Sequence, residues 1–186
     1  MRAVEFERRY QHDGDPWHYR SSVYEHAKYA ATLSASGPGP FGSALELGGS
    51  IGVFSARLAP RCDALTTIDC SPTAVAAART RLAGFPHADA ILGEIPGAIG
   101  PGDHDLVVAS EVLYYLDDDA FEATLERLRE VLVGGGRLVA VHWRPSGPER
   151  PQSATEIHRR LRSRPWLRAA GEHGTDDYLL DVLERT

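Results

Sequence analysis

Strand patterns and helix patterns alternate along the middle of the chain, and this alternation constrains the fold more than any other feature. Strand-length apolar runs begin at Ser43, Ala64, Ala88, His104 and Gly136. Helix patterns separate the first run from the second, the second from the third, and the fourth from the fifth. Strands joined by helices run parallel, and a parallel sheet needs cover on both faces. The sequence therefore predicts an α/β fold with right-handed crossover connections.

Both ends of the chain depart from this alternation. Before the first strand, aromatic and apolar residues at helical spacing predict a helix that begins after Pro16 and ends at the break of residues 37–42 (GPGPFG). After the fifth strand, a helix pattern over 153–163 precedes two strand patterns that begin at Trp166 and Asp177. The last two strands are close enough to form an antiparallel hairpin at one edge of the sheet.

Two helices carry clear end signals. Ser71 can cap the helix that follows the second strand, with Pro72 in its first turn. The helix before the fifth strand opens on the acids of residues 117–119, and we expect the glycines of residues 134–136 to close it.

Composition narrows the class of protein. The chain has 186 residues, which suits one domain, and its net charge of −6 argues against a nucleic-acid partner. Cys62 and Cys70 form no CxxC motif or disulfide framework, and no apolar run reaches the length of a membrane span. We expect a cytoplasmic protein that binds neither nucleic acid nor membrane.

A loop rich in glycine follows the first strand, in the segment ALELGGSIG of residues 44–52. In an open parallel sheet, ligands bind beyond the carboxyl ends of the strands. A phosphate-binding P-loop would need GxxxxGK[ST], and a dinucleotide fingerprint would need GxGxxG; neither is present. Glu46, Gly48 and Gly52 instead satisfy E/DxGxxxG, a pattern of S-adenosyl-L-methionine (SAM) methyltransferases. The alternative is a tight turn without a ligand.

An acid ends the second strand, 17 residues after Gly52. This residue, Asp69, can accept hydrogen bonds from both ribose hydroxyls of a nucleotide; the alternative is a solvated acid at a strand tip. Glu94, after the third strand, is a candidate for a contact near the adenine, or is simply solvated. The complete set predicted to bind the cofactor is Arg20, Tyr24, Glu46, Gly48, Gly49, Ser50, Gly52, Asp69, Cys70, Ser71, Glu94 and Ser110.

These motifs, in this order, resemble those of class I SAM-dependent methyltransferases. Four further segments resemble the NodS-like family: DGDPWHYRSSVYEHAKYAATL, ALELGGSIGVFSARLA, SEVLYYL and AVHWRP. The family is named for nodulation protein S, which N-methylates an amino sugar of lipo-chitooligosaccharides. The resemblance covers nearly the whole chain. One departure is Gly49, where these proteins often carry cysteine.

The resemblance implies a single SAM-dependent methyltransferase domain over 1–186. Residues 1–42 would form an N-terminal lid and residues 43–186 a Rossmann-like core. Within the lid, we expect Tyr24 and Arg20 to contact SAM, although aromatic residues at helical spacing also suit plain core packing. No Cys or His spacing predicts a metal.

An amine acceptor must lose its proton before it accepts a methyl group, because an alkylammonium is mostly protonated at pH 7. Glu111, at the tip of the fourth strand, is the first candidate for the carboxylate that orients or deprotonates it. His142, at the tip of the fifth strand, and His158, on the following helix, are candidates for a general base. Each has a plain alternative: a cap or salt bridge for Glu111, and hydrogen-bonded structural histidines for the other two.

The sequence thus predicts methyl transfer from SAM to a small-molecule acceptor, with an amine of an amino sugar or glycoside preferred. The alternatives are methylation of a hydroxyl in a natural product or sugar, and a module that binds SAM without catalysis. An NAD-dependent oxidoreductase is disfavoured because GxGxxG is missing.

Overall fold

The computed structural model describes residues 3–145 and 147–186, which build one seven-stranded sheet flanked by helices. The strands are β1 (Ala44–Leu47), β2 (Leu65–Asp69), β3 (Ala88–Leu92), β4 (His104–Ser110), β5 (Leu132–Trp143), β6 (Leu167–Glu172) and β7 (Tyr178–Arg185). The helices are α1 (Ala3–His12), α2 (Val23–Ser36), α3 (Val53–Leu58), α4 (Pro72–Leu82), α5 (Asp118–Val131) and α6 (Ala154–Arg162).

The strands lie in the order β3-β2-β1-β4-β5-β7-β6. The first five pair in parallel, whereas β7 runs antiparallel to β5 and β6 antiparallel to β7. This confirms the predicted α/β fold with a C-terminal antiparallel hairpin. The chain moves outward in one direction from β1 to β3 and in the other from β4, so a crevice forms where β1 and β4 meet.

Helices cover both faces of the sheet. On one face, Phe121, Leu125 and Leu128 of α5 pack with Ile157 and Leu161 of α6. On the other face, α2, α3 and α4 pack against the sheet through a second apolar cluster. The central strands are buried on both sides, which explains their continuous apolar sequences.

Helix α2, which the sequence pattern predicts to begin after Pro16, begins later in the structure. It starts at Val23, and the residues between α1 and α2 form turns. The physical reason is Asp15, whose carboxylate accepts the backbone N–H groups of Tyr19 and Arg20 at 2.8 and 3.0 Å. A side chain that bonds the backbone in this way competes with helix formation. The sequence did not predict α1 itself.

The signals at the two helix ends have different outcomes. Ser71 caps α4 as expected, since its hydroxyl accepts the N–H of Ala74. The glycines do not close α5: the helix ends at Val131, and Leu132 is already extended. Because Leu132 pairs with His104 of the neighbouring strand, β5 starts there and takes the glycines into the sheet. None of the helices in the described ranges combines the length and apolar character that a bilayer crossing requires.

Candidate functional site

A cavity of about 440 Å³ lies at the carboxyl ends of β1, β2 and β4. Side chains of α1 and α2 also line it, among them Phe6, Tyr10 and Tyr24. The glycine loop after β1 forms one side of the cavity. The other side is formed by α2, by the segment after β4 and by residues near the end of β5.

The glycine loop makes a turn that only glycine enters easily. Gly48 and Gly52 have φ values of 76° and 75°, in the left-handed region that disfavours a side chain. The N–H groups of Gly48 and Gly49 both donate to the carbonyl of Ile68, at 2.8 and 3.0 Å. A Cβ atom at Gly52 would lie 3.0 Å from Cα of Ala78 on α4. The sequence motif therefore encodes a loop pulled against β2 and α4.

Gly49 is required for a different reason: there is no room for a side chain at this position. A Cβ atom there would overlap Oγ1 of Thr67 on β2. Thr67 belongs to a buried cluster beneath the loop, in which the hydroxyl of Ser55 donates to Glu46. Burial raises the pKa of the Glu46 carboxyl to about 7. Close packing of the loop on β2 thus depends on a residue without a side chain.

Asp69, at the tip of β2, faces the cavity and receives two backbone donors. The N–H of Ser50 lies 2.8 Å from one carboxylate oxygen, and the N–H of Ser71 lies 2.9 Å from the other. Burial raises the pKa of Asp69, although these bonds act in the opposite direction. The Ser50 hydroxyl in turn lies 2.5 Å from the hydroxyl of Tyr10 on α1. Asp69, the glycine loop and α1 are therefore linked.

A second contact holds α1 over this side of the cavity. Glu7 accepts hydrogen bonds from the hydroxyls of Ser71 and Thr73, at 2.6 and 2.7 Å, and from the N–H of Thr73 at 3.1 Å. These bonds lower the pKa of Glu7. The carboxylate lies at the N-terminus of α4, where negative charge is favoured. α1 is thereby attached to the helix that follows Asp69.

On the opposite side, Glu111 stands in a strained conformation at the tip of β4. Its φ of 55° is unusual for a residue with a side chain and costs of order 1–3 kcal/mol. Its carboxylate accepts hydrogen bonds from Lys28, the Tyr114 hydroxyl and the N–H of Trp143. Three fixed donors therefore hold one carboxylate at the cavity wall.

Lys28 of α2 is the only lysine of the chain, and its side chain is just 2% exposed. Its ammonium lies 2.7 Å from Glu111 and 3.1 Å from Glu25, and 5.1 Å from the centre of the Tyr24 ring. Burial favours the neutral amine, but the two carboxylates outweigh burial and raise the pKa of Lys28. Lys28 is thus a buried cation shared by two acids.

The two histidines predicted as bases form a buried chain behind this wall. His142 Nε2 accepts the N–H of Leu113 at 3.3 Å, and His142 Nδ1 lies 3.0 Å from His158 Nε2. His158 Nδ1 lies 2.9 Å from Asp181, which Arg162 also contacts. Burial holds the pKa of His142 well below its usual range. His142 is therefore a neutral acceptor that supports the segment carrying Tyr114.

Most of the predicted site residues line the cavity. Those that do are Tyr24, Glu46, Gly48, Gly49, Ser50, Asp69, Cys70, Glu94, Ser110 and Glu111. Five predicted residues do not, and each has another position in the fold. Gly52 and Ser71 are the N-caps of α3 and α4, and Arg20 is exposed and bonded to Asp15. His142 and His158 are buried and bonded to each other, and neither of them lines the cavity.

The sequence of this chain matches a known protein family. The family model for nodulation protein S (NodS) matches residues 4–145. The chain belongs to the NodS family. It is 35% identical over 127 residues to nodulation protein S of Sinorhizobium fredii, a match that covers 67% of this chain and 59% of that protein. The identity to nodulation protein S of Bradyrhizobium diazoefficiens is 38% over 105 residues, or 56% and 50% of the two chains. The chain thus spans about half to three fifths of the curated relatives that it matches.

A solved structure of the NodS family shows the same fold. The N-methyltransferase NodS from Bradyrhizobium japonicum, in complex with S-adenosylhomocysteine, superposes with a TM-score of 0.87 at 26% identity. The match covers 98% of both chains. The seven-stranded sheet described above is therefore the class I methyltransferase fold.

Several residues that line the cavity of this NodS-family chain were not predicted from the sequence. Tyr10 and Phe6 lie on a helix that was not predicted, and Lys28 was given no role although it lies in a segment that resembles the family. Arg150 follows the last parallel strand, and its guanidinium lies 4.8 and 4.9 Å from the ring centres of Trp143 and Tyr114. One signal was available: a single lysine in an arginine-rich chain, on a helix that faces the site.

Proposed function

We propose that this NodS-family protein is a SAM-dependent methyltransferase that acts on an amine of a small, sugar-like molecule. One observation carries the proposal: a single cavity joins the glycine loop and Asp69 to a second acidic, aromatic wall. Its lining includes the acids Glu25, Glu46, Asp69, Glu94, Glu111 and Glu149, against the bases Lys28 and Arg150. SAM and a protonated amine are both cations, so an acidic cavity favours the pair.

The glycine-loop side suits the donor. The bare backbone at Gly48 and Gly49 allows an amino-acid moiety to approach closely, and Asp69 offers its carboxylate to ribose hydroxyls. Glu94, Ser110 and Cys70 line the same cavity and remain our candidates for further donor contacts. The NodS structure that holds S-adenosylhomocysteine supports this assignment through its matching fold. Residues 3–42 would cover the bound donor as a lid.

The opposite wall suits the acceptor. Methyl transfer is a displacement in which the amine lone pair forms the new C–N bond as the C–S bond breaks. The protein therefore supplies mainly position, with the reacting atoms about 3–3.5 Å apart. Trp143 and Tyr115 offer aromatic surface to a ring, and Glu111 is fixed by its three donors. Both cysteines are free, which fits the reducing cytoplasm as the site of action.

A methyl-transfer screen tests this function. Purified protein would be incubated with SAM labelled on the methyl group and with glucosamine, its oligomers and alkylamines, beside the same sugars with a hydroxyl at the amine position. We expect label only in products with an amine, and a rate that rises with pH as the amine loses its proton. Label in a hydroxyl sugar would favour O-methylation, and donor binding with no labelled product would favour a non-catalytic module.

A further inference from the structure

Glu25 occupies the helix position at which a glutamate usually accepts a backbone N–H of the cap residue, but its carboxylate does not do so here. Ser22 caps α2 by accepting the N–H of Glu25, so residues 22–25 have the spacing of a capping box. In that motif, the glutamate turns back to accept the N–H of the cap residue. The N–H of Ser22 instead donates to the carbonyl of His18 at 2.8 Å. The Glu25 carboxylate is therefore not used by the cap, and the residue lines the cavity.

Two polar atoms of successive residues on α2 lack a hydrogen-bond partner within residues 3–145 and 147–186. They are Oε2 of Glu25 and the hydroxyl of Tyr24, and both are buried. Both residues line the cavity on the side of Glu111. A buried carboxylate oxygen without a partner is costly, so such an atom in a binding cavity points to a ligand that supplies the donor.

The charges around Glu25 define that ligand. Glu25 Oε1 is bonded to Lys28, but Lys28 is shared with Glu111, so one ammonium faces two carboxylates. The cluster therefore carries one net negative charge when its acids are ionised. Arg150 lines the same cavity, with its guanidinium lying over the rings of Trp143 and Tyr114. A neutral hydroxyl would supply a hydrogen bond but no charge, whereas an ammonium would supply both.

We propose that Glu25 determines acceptor specificity by binding the acceptor as a primary or secondary ammonium through Oε2, with the Tyr24 hydroxyl as a second acceptor. This inference rests on the proposed function, since it assigns the substrate class of the same cavity. In this arrangement, the fixed carboxylate of Glu111 holds Lys28 in place at the cavity wall. The ammonium is bound first, and only the fraction that loses its proton to solvent accepts the methyl group.

Calorimetric titration at pH 7 tests the assignment with a simple pair of probes, butylammonium and 1-butanol. Both would be titrated into the protein saturated with S-adenosylhomocysteine, and into the protein alone. We expect the wild type to bind butylammonium at least tenfold more tightly than butanol. Glu25→Gln should remove that preference, Tyr24→Phe should reduce it less, and Glu156→Gln, on the exposed surface of α6, should leave it unchanged.

Three results would overturn the inference. They are equal affinities of the two probes in the wild type, an unchanged preference in Glu25→Gln, or a loss of S-adenosylhomocysteine affinity in that variant as large as its loss of butylammonium affinity. The last result would assign Glu25 to the donor side. The wild-type comparison needs no variant to fold. If S-adenosylhomocysteine fails to bind while butylammonium is still preferred, the proposed function fails and the ammonium contact stands.

Discussion

The ammonium of Lys28 lies 2.7 Å from Oε1 of Glu111, and this contact joins helix α2 to the strained tip of β4. The two residues are 83 positions apart in the chain. Their ion pair therefore joins helix α2 to the central sheet at the wall that we assign to the acceptor. Its loss would disturb both the stability of the fold and the shape of that wall.

Lys28→Met should destabilise the protein by about 3–5 kcal/mol, because it leaves two buried carboxylates without their cation. Methionine has a side chain of similar length and fills the volume of the lysine. The loss of unfolding free energy therefore reports the missing charge rather than a cavity. Urea unfolding followed by circular dichroism measures the change in free energy. The matched control is Arg129→Met, which removes an exposed ion pair with Glu126 at 3.8 Å and should have little effect. Equal, small changes in the two variants would contradict this account.

Gly49→Ala should weaken binding of S-adenosylhomocysteine and lower the free energy of unfolding by about 1–3 kcal/mol, because the new methyl group overlaps Thr67. Thr67→Ala in the same chain removes the clashing oxygen. The double variant should therefore recover part of both losses, which a double-mutant cycle measures as a coupling energy. Strictly additive losses would show that Thr67 does not set the requirement for glycine.

The loop and Asp69 could be predicted from the sequence because their determinants are local. A left-handed turn at Gly48 needs a particular residue type, and the tip of a strand follows from periodicity. The start of α2 could not be predicted in this way. It depends on Asp15, whose side chain captures two backbone N–H groups, and that competition does not appear in an apolar pattern. The end of α5 is set by pairing of Leu132 with a distant strand.

His142→Gln should flatten the dependence of stability on pH. His142 is held neutral in the folded protein, whereas an unfolded histidine takes up a proton below a pKa of about 6.5. The stability of the wild type is therefore fully present above about pH 6.5 and falls as the pH drops below it, by up to about 1.4 kcal/mol per pH unit. The difference between the two unfolding curves from pH 7.5 to 5 isolates this residue. Parallel curves would show that folding does not change the pKa of His142.

Asp69→Asn should lower the affinity for SAM by about 10- to 100-fold, since a charge-assisted hydrogen bond contributes about 1.5–3 kcal/mol. Equilibrium dialysis with labelled SAM measures it. Asp89→Asn is the control, because that aspartate is exposed on the adjacent strand β3. If both variants bind SAM like the wild type, Asp69 does not hold the ribose.

The acceptor wall was harder to predict than the donor side. Glu111 could be chosen as a candidate because it directly follows a strand, but Glu25 and Lys28 come from a helix whose orientation only the folded chain reveals. The positions of His142 and His158 could not be predicted for a related reason: a strand tip and a helix face indicate proximity to the site, whereas in the fold both rings are buried, bonded to each other and absent from the cavity lining.

The most direct test of the account is calorimetric titration of the purified protein with S-adenosylhomocysteine and, separately, with NADH. We expect saturable binding of one S-adenosylhomocysteine per chain and no detectable heat with NADH. Binding of NADH without binding of S-adenosylhomocysteine would contradict the assignment of the cavity side formed by the glycine loop and Asp69 to SAM.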